Sequence, residues 1–198
     1  MKPPIPPRDF RYMVECKDCR LCESRRNVVV GHGPIKQVTY MFIGEAPGEN
    51  EDAKGLPFVG KAGEKLDELS DQAGFDLDGV YVTNIVKCRP PGNRRPTGHE
   101  TKMCQKHLIV QIKKIKPDML VCLGNTSLQY FFPKARIMSV HGTILRTKKG
   151  LKIYPIIHPA AALRNPAYEE LIVADLSRLN ELDLTDKIEF GPMHMEEE

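Results

Sequence analysis

The chain has 198 residues, of which 41% are apolar and 28% charged, and its net charge is +3. That length suits one domain with a substantial core, and that balance excludes a globally disordered chain. No apolar run approaches the ~20 residues of a membrane-spanning helix and none has signal-peptide character, so an intracellular, membrane-free protein is expected.

Residues 1–12, M-K-P-P-I-P-P-R-D-F-R-Y, are expected to form an extended, proline-rich arm. Cys16, Cys19 and Cys22 follow at C-x2-C-x2-C spacing. Residues 39–44 then form an apolar run that turns abruptly into E-A-P-G-E-N-E-D, placing Glu45, Glu49, Glu51 and Asp52 in one tight turn. Residues 60–73 have helical spacing, with Leu66 and Leu69 on one face, and 80–86 (V-Y-V-T-N-I-V) read as a β-branched strand. A helix is predicted over 99–115, a buried strand over 118–124, and a short helix over 127–132. A strand over 152–157 carries Pro155, which marks an edge or a bend, and a last helix covers 167–179.

Charge is unevenly spread. Residues 87–116 hold nine Lys or Arg against Glu100 alone, whereas 169–198 hold ten acids against two bases. The basic block reads as a solvated helix face or as a surface facing a polyanion. Residues 182–198, ending E-E-E, read as a flexible acidic tail.

Near-continuous apolar strands alternating with helices indicate an α/β protein whose largely parallel sheet is covered on both faces. In such sheets, function gathers beyond the carboxyl ends of the strands. The segments 45–52, 84–93 and 158–165 each follow a strand, so three polar clusters remote in sequence are expected to meet on one rim.

Each cluster admits a structural and a chemical reading. The acidic turn either caps the next helix or stabilises positive charge and orients water; carboxylates there would repel a phosphate. Phe58, in G-L-P-F-V-G, is core filler or a stacking surface for a planar ring. Asn84 is a satisfied strand-end amide or the reader of a base edge. His158 ends a strand, and the small residues after it present Leu163 and Arg164, which suits an apolar wedge beside a phosphate contact or simply the start of a helix.

Of the six cysteines, Cys122 lies inside an apolar strand and reads as core. Cys16 and Cys19 together with Cys88 and Cys104 make four thiolates, enough for tetrahedral zinc or for a four-iron cluster, and spacing alone does not choose between them.

The motifs G-E-A-P-G-E-N-E-D, L-P-F-V-G-K-A-G, V-Y-V-T-N-I-V-K-C-R-P-P-G-N-R and H-P-A-A-A-L-R-N-P, with C-K-D-C before N-V-V-V-G, closely resemble family 4, the iron–sulfur uracil-DNA glycosylases. The resemblance runs from about Cys16 to Leu179. It implies a three-layer α/β/α sandwich with a central four-stranded parallel sheet, a 4Fe–4S cluster, and hydrolytic removal of uracil from single- or double-stranded DNA in base excision repair. It implies Cys16, Cys19, Cys88 and Cys104 as cluster ligands and leaves out Cys22. Gly44, Glu45 and Ala46 match the uracil-cradling segment, Phe58 the stacking ring, Asn84 the base-reading amide and His158 the histidine facing O2. Glu45, Glu51, Asn93 and His158 match positions implicated in catalysis. Arg89, Arg94, Arg95 and Arg164 are expected on phosphates, with Leu163 filling the gap left by a flipped base. Ala46 and G-N-R-R-P depart from the G-E-Q-P-G and K-R-R-I-H of a covalently trapping branch, so a monofunctional, turning-over enzyme is expected; a monomer is expected as well. Contacts with a sliding clamp or downstream repair enzymes are conceivable.

Overall fold

The computed structural model describes residues 5–182; the acidic tail expected over 182–198 lies, beyond its first residue, outside them. In chain order the elements are α1 (Leu21–Ser24), β1 (Tyr40–Gly44), α2 (Glu49–Lys54), α3 (Lys61–Gln72), β2 (Tyr81–Asn84), α4 (Gly98–Ile115) and β3 (Met119–Leu123). They continue with α5 (Asn125–Phe131), α6 (Ile137–Val140), β4 (Leu145–Arg146), β5 (Lys152–Ile156), α7 (Pro159–Ala162) and α8 (Ala167–Glu181). Among the described residues, no helix is long and apolar enough to cross a membrane.

The strands form one five-stranded sheet in the order β2-β1-β3-β5-β4. β2, β1, β3 and β5 run parallel, as expected, and the two-residue β4 adds an antiparallel edge beside β5. The sheet is therefore mixed, one strand wider than the expected four. Every residue of β3 and β5 is buried, which requires cover on both faces. Register shows what supplies it. Phe42 of β1 stacks on Phe75 beyond α3, with ring centroids 5.7 Å apart. Tyr81 pairs in register with the adjacent Met41, so it points to the other face, where its hydroxyl accepts from Gln111 of α4 at 2.9 Å. Helix, sheet and helix thus make three layers.

Pro155 is tolerated in β5 because of where β4 stops. Its carbonyl accepts from Gly142 N at 2.9 Å, on the β4 side but beyond the two residues that pair. The missing N–H therefore faces a place without a ladder acceptor. The proline-rich start also differs from expectation. Arg8–Glu15 is 3-10 helical and buries Phe10 and Met13, so of the described part of the expected arm only residues 5–7 are without helix; residues 1–4 lie outside the described residues. Phe10 packs edge-on against Tyr81, and that apolar contact draws the segment onto the sheet.

The chain leaves β1 outward to β2 and returns past β1 to β3, so the topological switch point lies between β1 and β3. Open α/β sheets bind ligands in the crevice above such a point.

Candidate active site and cysteine cavity

A cleft opens at that point, and the ends of all four parallel strands reach it: Glu45 after β1, Asn84 closing β2, Thr126 after β3 and His158 after β5. Gly44 ends β1 against its floor. A Cβ there would stand 2.4 Å from Asn84 Oδ1 and 2.9 Å from the Phe58 ring, so only glycine lets the two side chains approach. Asn84 is 2% exposed. Its backbone carbonyl accepts from Lys87 Nζ at 2.7 Å, but among the described residues its side-chain amide has no hydrogen-bond partner. A buried amide facing a cleft with its donors and acceptor unspent is built to meet a ligand edge.

The acidic turn divides its labour. Gly48 is the N-cap of α2, and Glu49, Glu51 and Asp52 fall in the first turn, where the helix dipole favours negative charge. Asp52 is buried and accepts from the backbone N–H of Arg26 (2.9 Å) and Asn27 (3.2 Å), tying the N-terminal segment down. Glu49 reaches towards Arg89 at 3.5 Å. Glu51 accepts from Gly48 N at 3.0 Å with one oxygen, and from Val59 N (3.0 Å) and Gly60 N (2.9 Å) with the other. Glu45 and Glu51 both line the cleft, but whereas the Glu51 oxygens are taken by backbone N–H groups, Glu45 accepts from the Thr126 hydroxyl, with Arg95 Nε 3.7 Å away.

The Glu51 bonds explain Phe58. This residue has φ +52°, a left-handed conformation that costs an L-residue about 1–2 kcal/mol. The strained bend is held by Glu51 on its far side and by Gly63 of α3, where any side chain would collide with the Phe58 carbonyl. Held so, the Phe58 ring lies 6.0 Å from the His158 ring at 29°. Replacing Glu51 with alanine is expected to lower stability by about 3 kcal/mol, since three N–H groups lose a charged acceptor. For a chain of this size that shifts the Tm by roughly 6–12 °C. A melting curve of the variant checks it, and an unchanged Tm would refute this structural role.

His158 is the N-cap of α7, and its Nδ1 accepts from Ala160 N at 3.1 Å. That bond leaves the proton on Nε2. Burial, reinforced by the Arg164 cation, pulls its pKa down to about 4, so the ring is a neutral donor near pH 7. Gly124, at φ +87°, leaves space for this ring, for a Cβ there would meet His158 Cβ at 2.9 Å.

The remaining expected residues sit around the rim. Asn93, at φ +56°, accepts from Arg89 Nε at 2.7 Å. Arg94 grips Glu100 through two bonds of 2.9 and 2.7 Å and holds that carboxyl down at about 2, which leaves its guanidinium committed to the loop. Arg95 and Arg164 are exposed, and Leu163 is 47% exposed at the end of α7. Ala46 is half-buried and lines the cleft. Thr126 and Gly124 did not figure among the expected residues. Applying the strand-end rule to G-N-T after β3 would have found them.

On the other side of β2 lies a small cavity walled by Cys16, Cys19, Cys88 and Cys104. Cys22 is not on its wall, and Cys122 is buried in β3. Arg25 donates to Cys88 Sγ at 3.2 Å and to the Cys16 carbonyl at 2.7 Å, and Lys87 N donates to Cys104 Sγ at 3.3 Å. Burial pushes Cys88 up to about 12 and Cys16 up to about 11, so these sulfurs become thiolates only against a bound cation. Four thiolates on one tetrahedral zinc would stand about 3.8 Å apart, given Zn–S bonds of about 2.3 Å. The tight group here is instead Cys16, Asp18 and His107, whose ligand atoms lie within 4.8 Å of one another; Cys19, Cys88 and Cys104 fall outside it. Sulfurs spread round a cavity, with N–H donors aimed at them, fit a group larger than one ion.

Residues 30–177 match the family described as the Uracil DNA glycosylase superfamily. The type-4 uracil-DNA glycosylase of Sulfurisphaera tokodaii is 41% identical over 184 residues, covering 88% of this chain and 83% of that protein. The type-4 enzyme of Thermotoga maritima is 42% identical over 168 residues (83% and 87%), and that of Archaeoglobus fulgidus 38% over 180 residues (87% and 90%). With the cleft at the switch point and the cysteine-lined cavity behind it, this likeness places the chain in the uracil-DNA glycosylase superfamily, among the type-4 enzymes.

Proposed function

We propose that this protein excises uracil from DNA by hydrolysing its N-glycosidic bond, acting in base excision repair. What carries the reading is the Asn84 amide, buried and without a partner among the described residues, at the closed end of a cleft that Gly44 keeps narrow. A base inside a duplex is out of reach, so the nucleotide must be turned out of the stack into this cleft. Phe58 then supplies a flat apolar face for the ring, and Asn84 donates to one carbonyl of uracil and accepts its N3–H. Cytosine presents the opposite pattern and leaves buried groups unpaired, which discriminates far better than shape.

As the glycosidic bond breaks, negative charge grows on the base and positive charge on the sugar. His158 donates from Nε2 to the uracil O2, a neutral hydrogen bond that strengthens as that oxygen becomes an anion. Glu45 faces the sugar, stabilises its cationic character and orients the attacking water. Glu51 positions Phe58 and the loop. Leu163 enters the stack where the base has left, and Arg164, Arg95 and Arg89 hold phosphates, with Asn93 steadying Arg89. Arg94 shapes the loop through Glu100.

Cys16, Cys19, Cys88 and Cys104 would hold a 4Fe–4S cluster. When bound it supplies a covalent staple between the N-terminal segment and the loop that follows β2, four residues beyond Asn84. Stripping the iron is expected to bleach absorption near 400 nm, lower the Tm by roughly 10 °C or more, and open residues 13–25 to protease. A colourless, zinc-replete protein of equal stability would reverse the choice of metal.

The deciding assay is a uracil-containing oligonucleotide, with matched cytosine and thymine controls, scored for alkali-labile abasic sites. Release from uracil alone is expected. Binding without release would leave a nucleic-acid-binding module, which has no need of Asn84, Glu45 and His158 on one rim.

A further inference from the structure

Thr126 lies three residues past the end of β3, in the first turn of α5, and Ser127 fixes that turn by donating to the Gly124 carbonyl at 3.0 Å. Its hydroxyl oxygen takes two bonds from one guanidinium, Arg95 Nε at 2.9 Å and Nη2 at 2.6 Å. Two N–H groups occupy both lone pairs of the hydroxyl, so its single proton has one direction left. It points at Glu45 Oε2. Arg95 Nε itself stays 3.7 Å from that oxygen, so the hydroxyl is the hydrogen-bonded link between the two charges. The Glu45 backbone is pinned independently, because its carbonyl accepts from Val86 N at 3.2 Å.

We infer that Thr126 is a positioning residue for the hydrolysis, locking the Glu45 carboxylate so that its other oxygen faces the sugar and the attacking water. The inference rests on the role proposed for Glu45. The geometry supplies three constraints on one side chain: its backbone is held by Val86, just beyond β2, one oxygen by Thr126, and Thr126 by Arg95. A guanidinium on the far side of the hydroxyl polarises it and makes it a stronger donor. A carboxylate without this clamp keeps its charge but samples other rotamers, and misplacement of a reacting group is felt in turnover more than in binding.

The test is a double-mutant cycle on the intact, metal-loaded protein, with kcat, KM and Tm measured for T126V, T126A, T126S, E45Q and E45Q/T126V. Valine keeps the shape and alanine shows whether any effect depends on bulk. T126V and T126A are expected to lower kcat about tenfold or more, the loss of one hydrogen bond to a charged group, with KM and Tm unchanged. T126S, which keeps the hydroxyl, is expected to restore most of the rate. In the E45Q background the valine substitution is expected to add nothing, because a residue that acts through Glu45 has nothing left to act on. Equal losses in both backgrounds, a loss carried in KM or Tm, or a T126S variant as slow as T126V would overturn the inference while leaving Glu45 in place. An E45Q protein with undiminished kcat would overturn both.

Discussion

His158→Ala is expected to slow uracil release by about 10²–10³-fold while DNA affinity stays within a few fold of the native protein. The size follows from removing one preorganised donor aimed at charge that develops only in the transition state. Its sign with pH is equally specific. The Ala160 N–H occupies Nδ1, and burial beside Arg164 holds the pKa near 4, below the ordinary 6.5. The donor is therefore the neutral ring. Its contribution, taken as the ratio of native to His158→Ala rates, is expected to stay flat from pH 7.5 through 6.5 and to change only as the pH nears 4. Because the folded pKa is depressed, the same group favours the folded state above pH 6.5 and surrenders that stabilisation as pH falls from 6.5 towards 4. A native-to-variant ratio that rises as the pH falls through 6.5 would show an imidazolium at work and refute the assignment.

Asn84→Asp is expected to produce the second large effect, a loss of about 10⁴-fold in the preference for uracil over cytosine. Asparagine offers one donor and one acceptor to the base edge, whereas aspartate offers acceptors only. The carbonyl of uracil then faces a carboxylate, and the exocyclic amine of cytosine gains an acceptor. DNA affinity is expected to change by less than about threefold, because affinity comes from phosphate contacts on the rim rather than from the pocket floor. Binding and selectivity falling together would mean that Asn84 supports the fold of the β2 end instead of reading the base.

Much of the framework was legible because it is written in local pattern. β1, β2, β3 and β5 are continuous apolar runs, and α3, α4 and α8 carry apolar residues at helical spacing, so each was placed within two residues of its observed bounds. α4 also announces its start through Thr97 and Glu100, which cap each other. The elements that escaped are those that pattern does not make. α2 is a six-residue helix of E-N-E-D-A-K, with no apolar period to reveal it. β4 is two residues long and exists by pairing with β5. The helix Arg8–Glu15 forms among prolines because Phe10 and Met13 find a buried surface.

The site divides along the same line. The strand-end rule brought the segments of Glu45, Asn84 and His158 together before any coordinates, because parallel strands deliver their carboxyl ends to one side. It was silent on what each carboxylate does there. Glu45, Glu49, Glu51 and Asp52 look interchangeable in the sequence, yet one accepts from Thr126 at the cleft, one reaches Arg89, one holds the Phe58 loop and one anchors Arg26 and Asn27. The arginines divide likewise: Arg94 is committed to Glu100, while its neighbour Arg95 reaches Thr126.

The sequence alone determined the α/β architecture, the family, the rim on which the polar strand-end segments gather and the four cysteines that share one cavity. The architecture and the rim follow from periodicity and strand direction, the cysteine set from residue type, and the family from the resemblance of its motifs, all carried by short stretches of chain. The tertiary structure decided the tautomer of His158, the amide of Asn84 left without a partner among the described residues, the bend at Phe58 and the separate contacts of the four acidic side chains. Each of these depends on a hydrogen bond or a close approach of a few tenths of an ångström, often between residues remote in sequence. Such distances are set by packing, which no local pattern encodes.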